Sequence, residues 1–215
     1  MKKYLLAAAA AGTLALAAGH ALADGASVTY NISATNDYVF RGYSQTDGKA
    51  AIQGGIDVTE GSFYEGAWAS NSDFGDREVD LYGGWRPTAG KFSFDVGAIY
   101  YNYNDPSLDT TELKAAVSHP LGKATVGVAF YDDIDFGKTY YYELNGSYPI
   151  TDKLSVSGAV GEQSYTSSKY STGNIGLTYA ITPVWSVDAR YWDTNINDMY
   201  KPTKGRFAVL LKAAF

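Results

Sequence analysis

The feature that most constrains this chain is an alternation of apolar and polar residues, at a period of two, that begins near Val28 and continues to the C-terminus. Successive side chains of a β-strand point to opposite faces, so each such segment has one apolar and one mixed face. In the last strand, Arg206 and Lys212 lie opposite an apolar series. That series is Phe207, Val209, Leu211, Ala213 and Phe215. Strands of this kind suit a membrane barrel, where the apolar face meets lipid and the other face meets a watery interior.

Twelve segments repeat this alternation, and the connections between them alternate in length. Short connections carry turn residues, as in Glu60-Gly61-Ser62 and Thr182-Pro183, whereas long ones include Arg41 to Ala50 and Asp193 to Gly205. Outer-membrane barrels have short turns on the periplasmic side and longer loops outside. The sequence therefore predicts an all-β fold, an antiparallel up-and-down transmembrane β-barrel of about twelve strands with both termini in the periplasm.

The N-terminal segment has the features of a secretory signal peptide. Lys2 and Lys3 form a short positive region, Tyr4 to Ala18 form an apolar one, and Ala21-Leu22-Ala23 is a small-residue cleavage site. The apolar stretch is short for a membrane-spanning helix, which makes a retained anchor the weaker alternative. We expect a signal peptide at 1–23 and one barrel domain in the cell outer membrane at 24–215.

Composition and charge exclude several other classes of protein. The chain has no cysteine, so neither disulfides nor thiolate metal sites can hold the fold. Without the predicted leader, 15 basic residues stand against 23 acidic ones, a net charge of −8 that should repel nucleic acid. The 19 tyrosines and 4 tryptophans are residues that settle at a membrane–water boundary.

A soluble barrel and an enzyme are the competing interpretations. A β-sandwich or lipocalin-like barrel also alternates, but soluble barrels enclose their large aliphatic residues, whereas only one stripe here is apolar. General-base catalysis would depend on His119, beside Pro120 at a predicted turn, and no catalytic or nucleotide-binding motif occurs. Asp132, Asp133 and Asp135 could bind a divalent ion, although a solvated acidic loop is the preferred interpretation. We expect neither catalysis nor a cofactor.

Two segments of the chain resemble a known family, the TorF-family porins, which are exported proteobacterial proteins of conserved sequence. The segments are Ser33 to Asp57, with the motifs Phe40-Arg41-Gly42, Ser44-Gln45 and Gln53-Gly54-Gly55, and Gly66 to Trp85, with Trp68-Ala69-Ser70-Asn71 and Asp80-Leu81-Tyr82-Gly83-Gly84. The chain has Ala50 where that family is expected to have a proline. The resemblance implies an outer-membrane barrel of the porin type, and it implies no particular substrate.

The number of strands indicates what the barrel could conduct. Barrels of about eight strands are filled by side chains and barrels of about sixteen are open, so about twelve should leave a narrow or partly plugged passage. We predict a porin-like channel for passive diffusion of ions or small polar solutes. The alternative is a closed structural or adhesive barrel that acts through its extracellular loops. The residues predicted to line the pore are Asp57, Glu65, Glu78, Asp80, Arg86, Asp95, Glu112, Lys114, Glu143, Asp188, Arg190, Arg206 and Lys212.

The excess of acidic residues in this set favours cations slightly. The third strand is predicted with Glu65 toward the lumen and Trp68 toward lipid. Arg41, as a loop gate, and Arg190, in the lumen, are candidates for binding a solute carboxylate, because a guanidinium group binds carboxylates in a bidentate manner. For Arg41 the alternative is a structural pair with Asp37 or with lipid phosphate.

The expected partners follow from the membrane location. Lipid and lipopolysaccharide should surround the barrel, and the barrel assembly machinery should recognise the C-terminal strand that ends in Phe215. We expect a monomer or small homo-oligomer that does not bind nucleic acid.

Overall fold

The computed structural model describes residues 20–21, 25–73, 76–197, 199 and 201–215. Within them, twelve long antiparallel strands form one sheet, numbered β1 to β12 in chain order. Their bounds are Ala26–Thr35, Ala51–Glu60, Phe63–Ser72, Asp76–Trp85, Phe92–Tyr103, Thr110–Leu121, Ala124–Asp133, Thr139–Pro149, Leu154–Ser164, Lys169–Ala180, Trp185–Thr194 and Arg206–Ala214. Short 3₁₀ turns cover Pro106–Leu108 and Lys201–Thr203. In this part of the chain no helix has the length and apolar character that crossing a membrane requires.

The sheet closes on itself because β1 pairs with both β2 and β12. At the seam, the backbone groups of Tyr30 and Phe215 exchange hydrogen bonds of 3.0 and 2.9 Å. The side-chain oxygen of Asn36 extends the seam by accepting the backbone N–H of Val209 at 2.6 Å. Closure removes free sheet edges, so backbone polar groups of the wall are paired within it. The predicted twelve-stranded up-and-down β-barrel is confirmed.

The two longest connections lie at the same end of the barrel, here called the loop end, and the opposite end, where connections have two to six residues, is called the turn end. β1 begins and β12 finishes at the turn end, and the long connections at the loop end include residues 36–50 and 195–205. His20–Ala21 forms a two-residue strand against Ser27 and Val28. The remainder of the predicted leader lies outside the described residues.

The outer surface of the barrel is apolar. Val160 and Phe207 are 61% and 69% exposed, and Leu177 and Leu211, which a soluble barrel would enclose, are 48% and 42% exposed. The inward positions of the same strands hold mainly small, hydroxyl and charged residues. This arrangement contradicts the soluble alternative and matches the surface of a transmembrane barrel.

The predicted orientation of β3 is wrong. Trp68 pairs with inward-facing Gly55, and Tyr64 donates a hydrogen bond to Asp95 in the lumen, so the aromatic residues of β3 point inward. Glu65 therefore lies on the outer face, opposite Val58. The error has a physical cause: the prediction assigns apolar residues to lipid, but Tyr64 hydrogen-bonds to Asp95 inside the barrel and Trp68 packs against Tyr38, which lies in a loop that enters the barrel.

Candidate functional site in the lumen

The first long connection, residues 36–50 and here called loop 1, folds into the barrel. Val39–Phe40 and Tyr43–Ser44 pair as a short hairpin. At its tip, Arg41 and Gly42 have positive φ angles of 46° and 81°. Two successive residues with positive φ make the compact turn that suits the twist of a hairpin. The side chains of loop 1 that fill the loop end of the lumen are those of Asp37, Tyr38, Phe40, Arg41, Ser44, Gln45 and Thr46, all buried.

Arg41 crosses the lumen to the wall formed by β6 to β9. Its guanidinium donates to both carboxylate oxygens of Glu112, at 2.7 and 2.9 Å, and to Gln163 Oε1 at 2.9 Å. Its Cζ atom lies 4.8 and 4.2 Å from the ring centroids of Tyr131 and Tyr141. The side chains of Arg41 and Glu112 are only 5% and 2% exposed. Such a pair holds loop 1 firmly, because breaking it would leave an uncompensated buried charge.

Further contacts hold loop 1 on other sides of the barrel. They are the hydrogen bond from Tyr38 Oη to Glu78 Oε1 on β4 (3.3 Å), the ion pair of Arg206 on β12 with Asp37 (2.8 Å), and the hydrogen bond from Tyr170 Oη on β10 to the Arg41 carbonyl (3.1 Å). Because these partners come from opposite walls, loop 1 sits across the lumen. We call this loop-filled part the dry section.

Toward the turn end, the lumen wall is charged and reached by water. Asp95 accepts hydrogen bonds from Tyr64 Oη at 2.7 Å, from Lys114 Nζ at 2.7 Å and from Arg86 Nε at 3.1 Å. The side chains of Asp95 and Lys114 are 17% and 19% exposed. We call this part the wet section, and it begins directly below the dry section, since Lys114 Nζ lies 6.0 Å from the ring centroid of Tyr131.

Arg190 also belongs to the wet section, and its guanidinium is fully engaged. It pairs with Asp188 at 3.1 Å and donates to Asn174 Oδ1 at 2.6 Å and to Ser157 Oγ at 2.8 Å. The side chain lies flat on Gly176, where a Cβ atom would be 2.8 Å from the Arg190 Cζ. Arg190 therefore lines the wall and does not project into the bore.

Other inward-facing glycines likewise leave room for a long side chain to lie flat on the wall. Tyr82 on β4 donates to Asp57 on β2 at 2.6 Å, across Gly66 of the intervening strand. A Cβ atom at Gly66 would lie 2.6 Å from the Tyr82 ring. Large side chains can thus span two strands while staying against the wall.

We expect Gly176→Val to displace Arg190 from the wall into the bore. Overpacking of this kind costs about 1–3 kcal/mol, so the substitution should lower both the unfolding temperature of the barrel and any ion conductance. Gly173→Val is the matched control, because Gly173 lies on the same strand and a Cβ there meets its nearest neighbour at an ordinary 3.7 Å. Thermal unfolding in detergent micelles measures the effect. Equal destabilisation by both substitutions would contradict this function of Gly176.

Tyrosine hydroxyls bind carboxylates repeatedly along the lumen. These pairs include Tyr38–Glu78, Tyr64–Asp95, Tyr82–Asp57, Tyr101–Glu112 and Tyr141–Glu143, with O–O distances between 2.6 and 3.3 Å. A donated hydrogen bond stabilises the ionised carboxylate, and the face of a tyrosine ring attracts cations. In the wet section, the wall therefore offers paired carboxylate and π-electron surfaces.

The structure brings most of the predicted lining residues into the lumen. Glu78, Asp80 and Glu112 lie in the dry section, and Arg206 lies at the rim, bound to loop 1. Those facing the wet section are Asp57, Arg86, Asp95, Lys114, Glu143, Asp188, Arg190 and Lys212. Only the inward placement of Glu65 is wrong, as described for β3.

The partner of Arg41 is neither Asp37 nor lipid phosphate, the two that were predicted for a structural role. Arg41 pairs with Glu112, and Asp37 pairs instead with Arg206. Gln163, Tyr131 and Tyr141, which complete the Arg41 site, were not identified. In strands β7 to β9 they occupy the positions that alternate with the outward-facing residues, and this alternation is the sequence feature that places them in the lumen.

The other candidates have structural contacts. His119 is on the outer face of β6, with its ring centroid 4.7 Å from that of Phe92. Asp133 accepts the backbone N–H groups of Asp135 and Phe136, so it shapes its loop. No cluster of three or more acidic or histidine side chains suited to a metal ion occurs in the described ranges.

Comparison with known proteins identifies the fold and the family. Among solved structures, the KdgM porin aligns with a TM-score of 0.64 at 11% identity, covering 87% of this chain and 98% of that chain. The NanC porin aligns with a TM-score of 0.63 at 9% identity, covering 86% and 98%. These likenesses show a porin-like fold. No curated protein matches the chain. None of these comparisons names the TorF-family porins, so the resemblance to that narrower family stays a prediction. Because a family model matches residues 20–215, the chain belongs to the family described as "Bacterial protein of unknown function (Gcw_chp)".

Proposed function

We propose that this barrel is an outer-membrane, porin-like channel for passive diffusion of ions or small polar solutes, with loop 1 as its constriction. The observation that carries the proposal is the wet section, a water-accessible and charged wall directly below a loop seated inside the barrel. In this proposal the turn end and both termini face the periplasm, lipid and lipopolysaccharide surround the apolar face, and the barrel assembly machinery recognises the strand that ends in Phe215. The protein is not an enzyme in this proposal.

Taken over its whole length, the predicted lining has a small excess of carboxylates, which favours cations. With Glu65 outside, the predicted lining retains seven carboxylates and five basic side chains, and several of the carboxylates are supported by tyrosine hydroxyls. The KdgM porin has also been solved in complex with disordered oligogalacturonate, a polyanion. The excess of carboxylates lies in the dry section, where Arg41 adds a further positive charge, because the wet section has four carboxylates and four basic side chains. A lumen of nearly balanced charge suits small cations or neutral polar solutes better than a polyanion.

Lys212 provides a test of this selectivity. Among the inward-facing basic residues that the structure describes, it alone makes no ion pair, so its charge acts on mobile ions. Lys212→Gln should shift the reversal potential in a salt gradient toward stronger cation preference. Lys153→Gln, in an exposed turn, is the control and should leave the reversal potential unchanged. No shift with Lys212→Gln would count against an open, charge-selective bore.

A closed barrel that acts through its loops is the second candidate, and the dry section favours it. Single-channel recording in planar bilayers separates the two functions. Reproducible conductance steps from the purified protein support the channel, whereas silence at high protein concentration supports the closed barrel.

A further inference from the structure

The site occupied by Arg41 has the composition of a receptor for organic cations. It offers a bidentate carboxylate from Glu112, an amide oxygen from Gln163, and the ring faces of Tyr131 and Tyr141. We propose that this guanidinium pocket recognises free guanidinium compounds, and that Arg41 is its built-in occupant. If guanidinium compounds are also the solutes that pass through the barrel, that part of the inference rests on the proposed channel function.

The geometry selects guanidinium over ammonium groups. Two N–H groups of Arg41 match the two oxygens of Glu112, and Gln163 Oε1 accepts a further hydrogen bond at 2.9 Å. An ammonium group is a compact point charge that cannot make this planar fork or stack on a ring in the same way. A planar cation between Glu112 and the tyrosine rings makes three hydrogen bonds, two to Glu112 and one to Gln163, and a primary amine cannot reproduce this planar arrangement.

Most walls of the pocket come from the barrel, whereas the occupant and one further contact, the ring of Phe40 at 4.5 Å from the Arg41 Cζ atom, come from loop 1. Glu112, Tyr131, Tyr141 and Gln163 lie on four consecutive barrel strands, whereas Arg41 lies at the tip of a loop hairpin. Arg41 can therefore leave while the barrel wall remains paired. The departure of Arg41 would leave a preformed site on the lumen surface.

The pocket is continuous with the wet section. Tyr141 Oη, from the pocket, donates to Glu143 Oε2 at 3.0 Å, and Lys114 Nζ lies 6.0 Å from the Tyr131 ring. A cation moving along the wet section would meet this pocket next to the constriction. A tethered group has a high effective concentration, so a free guanidinium compound should displace Arg41 only at millimolar or higher concentration.

Binding to the vacated pocket is the first test. Arg41→Gly removes the occupant and suits the positive φ at this position, so the turn is retained. Calorimetry of this variant in detergent should show that methylguanidinium binds at least about tenfold more tightly than methylammonium, because only the former makes the bidentate fork. Adding Glu112→Gln should abolish the difference. Equal binding of the two cations, or no binding by a variant with a wild-type circular dichroism spectrum, would overturn the proposal.

A second measurement uses the intact occupant. Ser44 is 1% exposed in loop 1 and the chain has no cysteine, so Ser44→Cys gives a single thiol that reports whether loop 1 is seated. Methylguanidinium should accelerate maleimide labelling of this thiol severalfold, whereas methylammonium at the same concentration should not. If both cations act equally, guanidinium recognition is wrong. Neither test requires ion conduction, so a silent bilayer recording would refute the channel and leave this inference standing.

Discussion

Arg41→Ala is expected to raise the unit conductance of the barrel severalfold. The substitution removes both hydrogen bonds to Glu112 and the contacts with Tyr131 and Tyr141, which are buried anchors of loop 1. Without them the hairpin tip should leave the dry section, and the narrowest part of the bore should approach the width of the wet section. The strand pairing of the barrel does not involve Arg41, so the protein should still fold. Single-channel recording in planar bilayers measures the change.

Two controls separate the loss of this anchor from a general effect of removing an arginine. Arg41→Lys keeps the charge but loses the bidentate geometry, so its conductance should lie between those of the wild type and Arg41→Ala. Arg77→Ala removes an exposed arginine from the outer face of β4, where it contacts Asn102, and should leave the conductance unchanged. A conductance of Arg41→Ala equal to that of the wild type would exclude loop 1 as the constriction.

Gly42→Ala is expected to release loop 1 by a steric route. A Cβ atom at Gly42 would overlap Thr172 Oγ1 and Thr194 Cγ2 on the barrel wall, and the residue also has a positive φ of 81°. The conductance should rise as it does in Arg41→Ala, because the hairpin tip no longer fits between β10 and β11. Bilayer recording under the same conditions allows direct comparison.

Gly48→Ala is the matched control for Gly42→Ala. Gly48 lies in the same loop with a φ of 79°, but nothing lies within 4 Å of its Cβ position. The backbone cost of positive φ, about 1–2 kcal/mol, is therefore shared, and only the overlap with the wall differs. If the two variants conduct alike, the close fit of the hairpin tip has no influence on the constriction.

The architecture could be predicted from the sequence because the barrel imposes a local pattern. In β12, Val209 and Leu211 face outward while Arg206 and Lys212 face inward, as the period of two requires. β3 is the exception. In β3, Ser70 lies on the same face as Trp68, and a serine at this position indicates that the face points to the lumen. The prediction instead followed the apolar character of Trp68, which favours the lipid side.

The candidate site was only partly predictable, because its contacts join residues far apart in the chain. Arg41 was identified as a loop residue of interest, but its partner Glu112 lies 71 positions away, and no local rule indicates how deeply loop 1 enters the barrel. The bond from Tyr82 to Asp57 depends on Gly66 in the strand between them. Pairings of this kind follow from strand register, which the sequence pattern does not specify beyond inside and outside.

The most direct test of a wet bore closed by loop 1 is cysteine labelling of the folded protein in bilayers with a small, charged thiol reagent. Three single substitutions report on three places: Ser157→Cys in the wet section, Ser44→Cys in loop 1 and Val160→Cys on the outer face. We expect rapid labelling at position 157 and protection at positions 44 and 160, with position 44 becoming reactive when Arg41 is replaced by alanine. Protection at position 157, or rapid labelling at position 44 with Arg41 in place, would contradict this account.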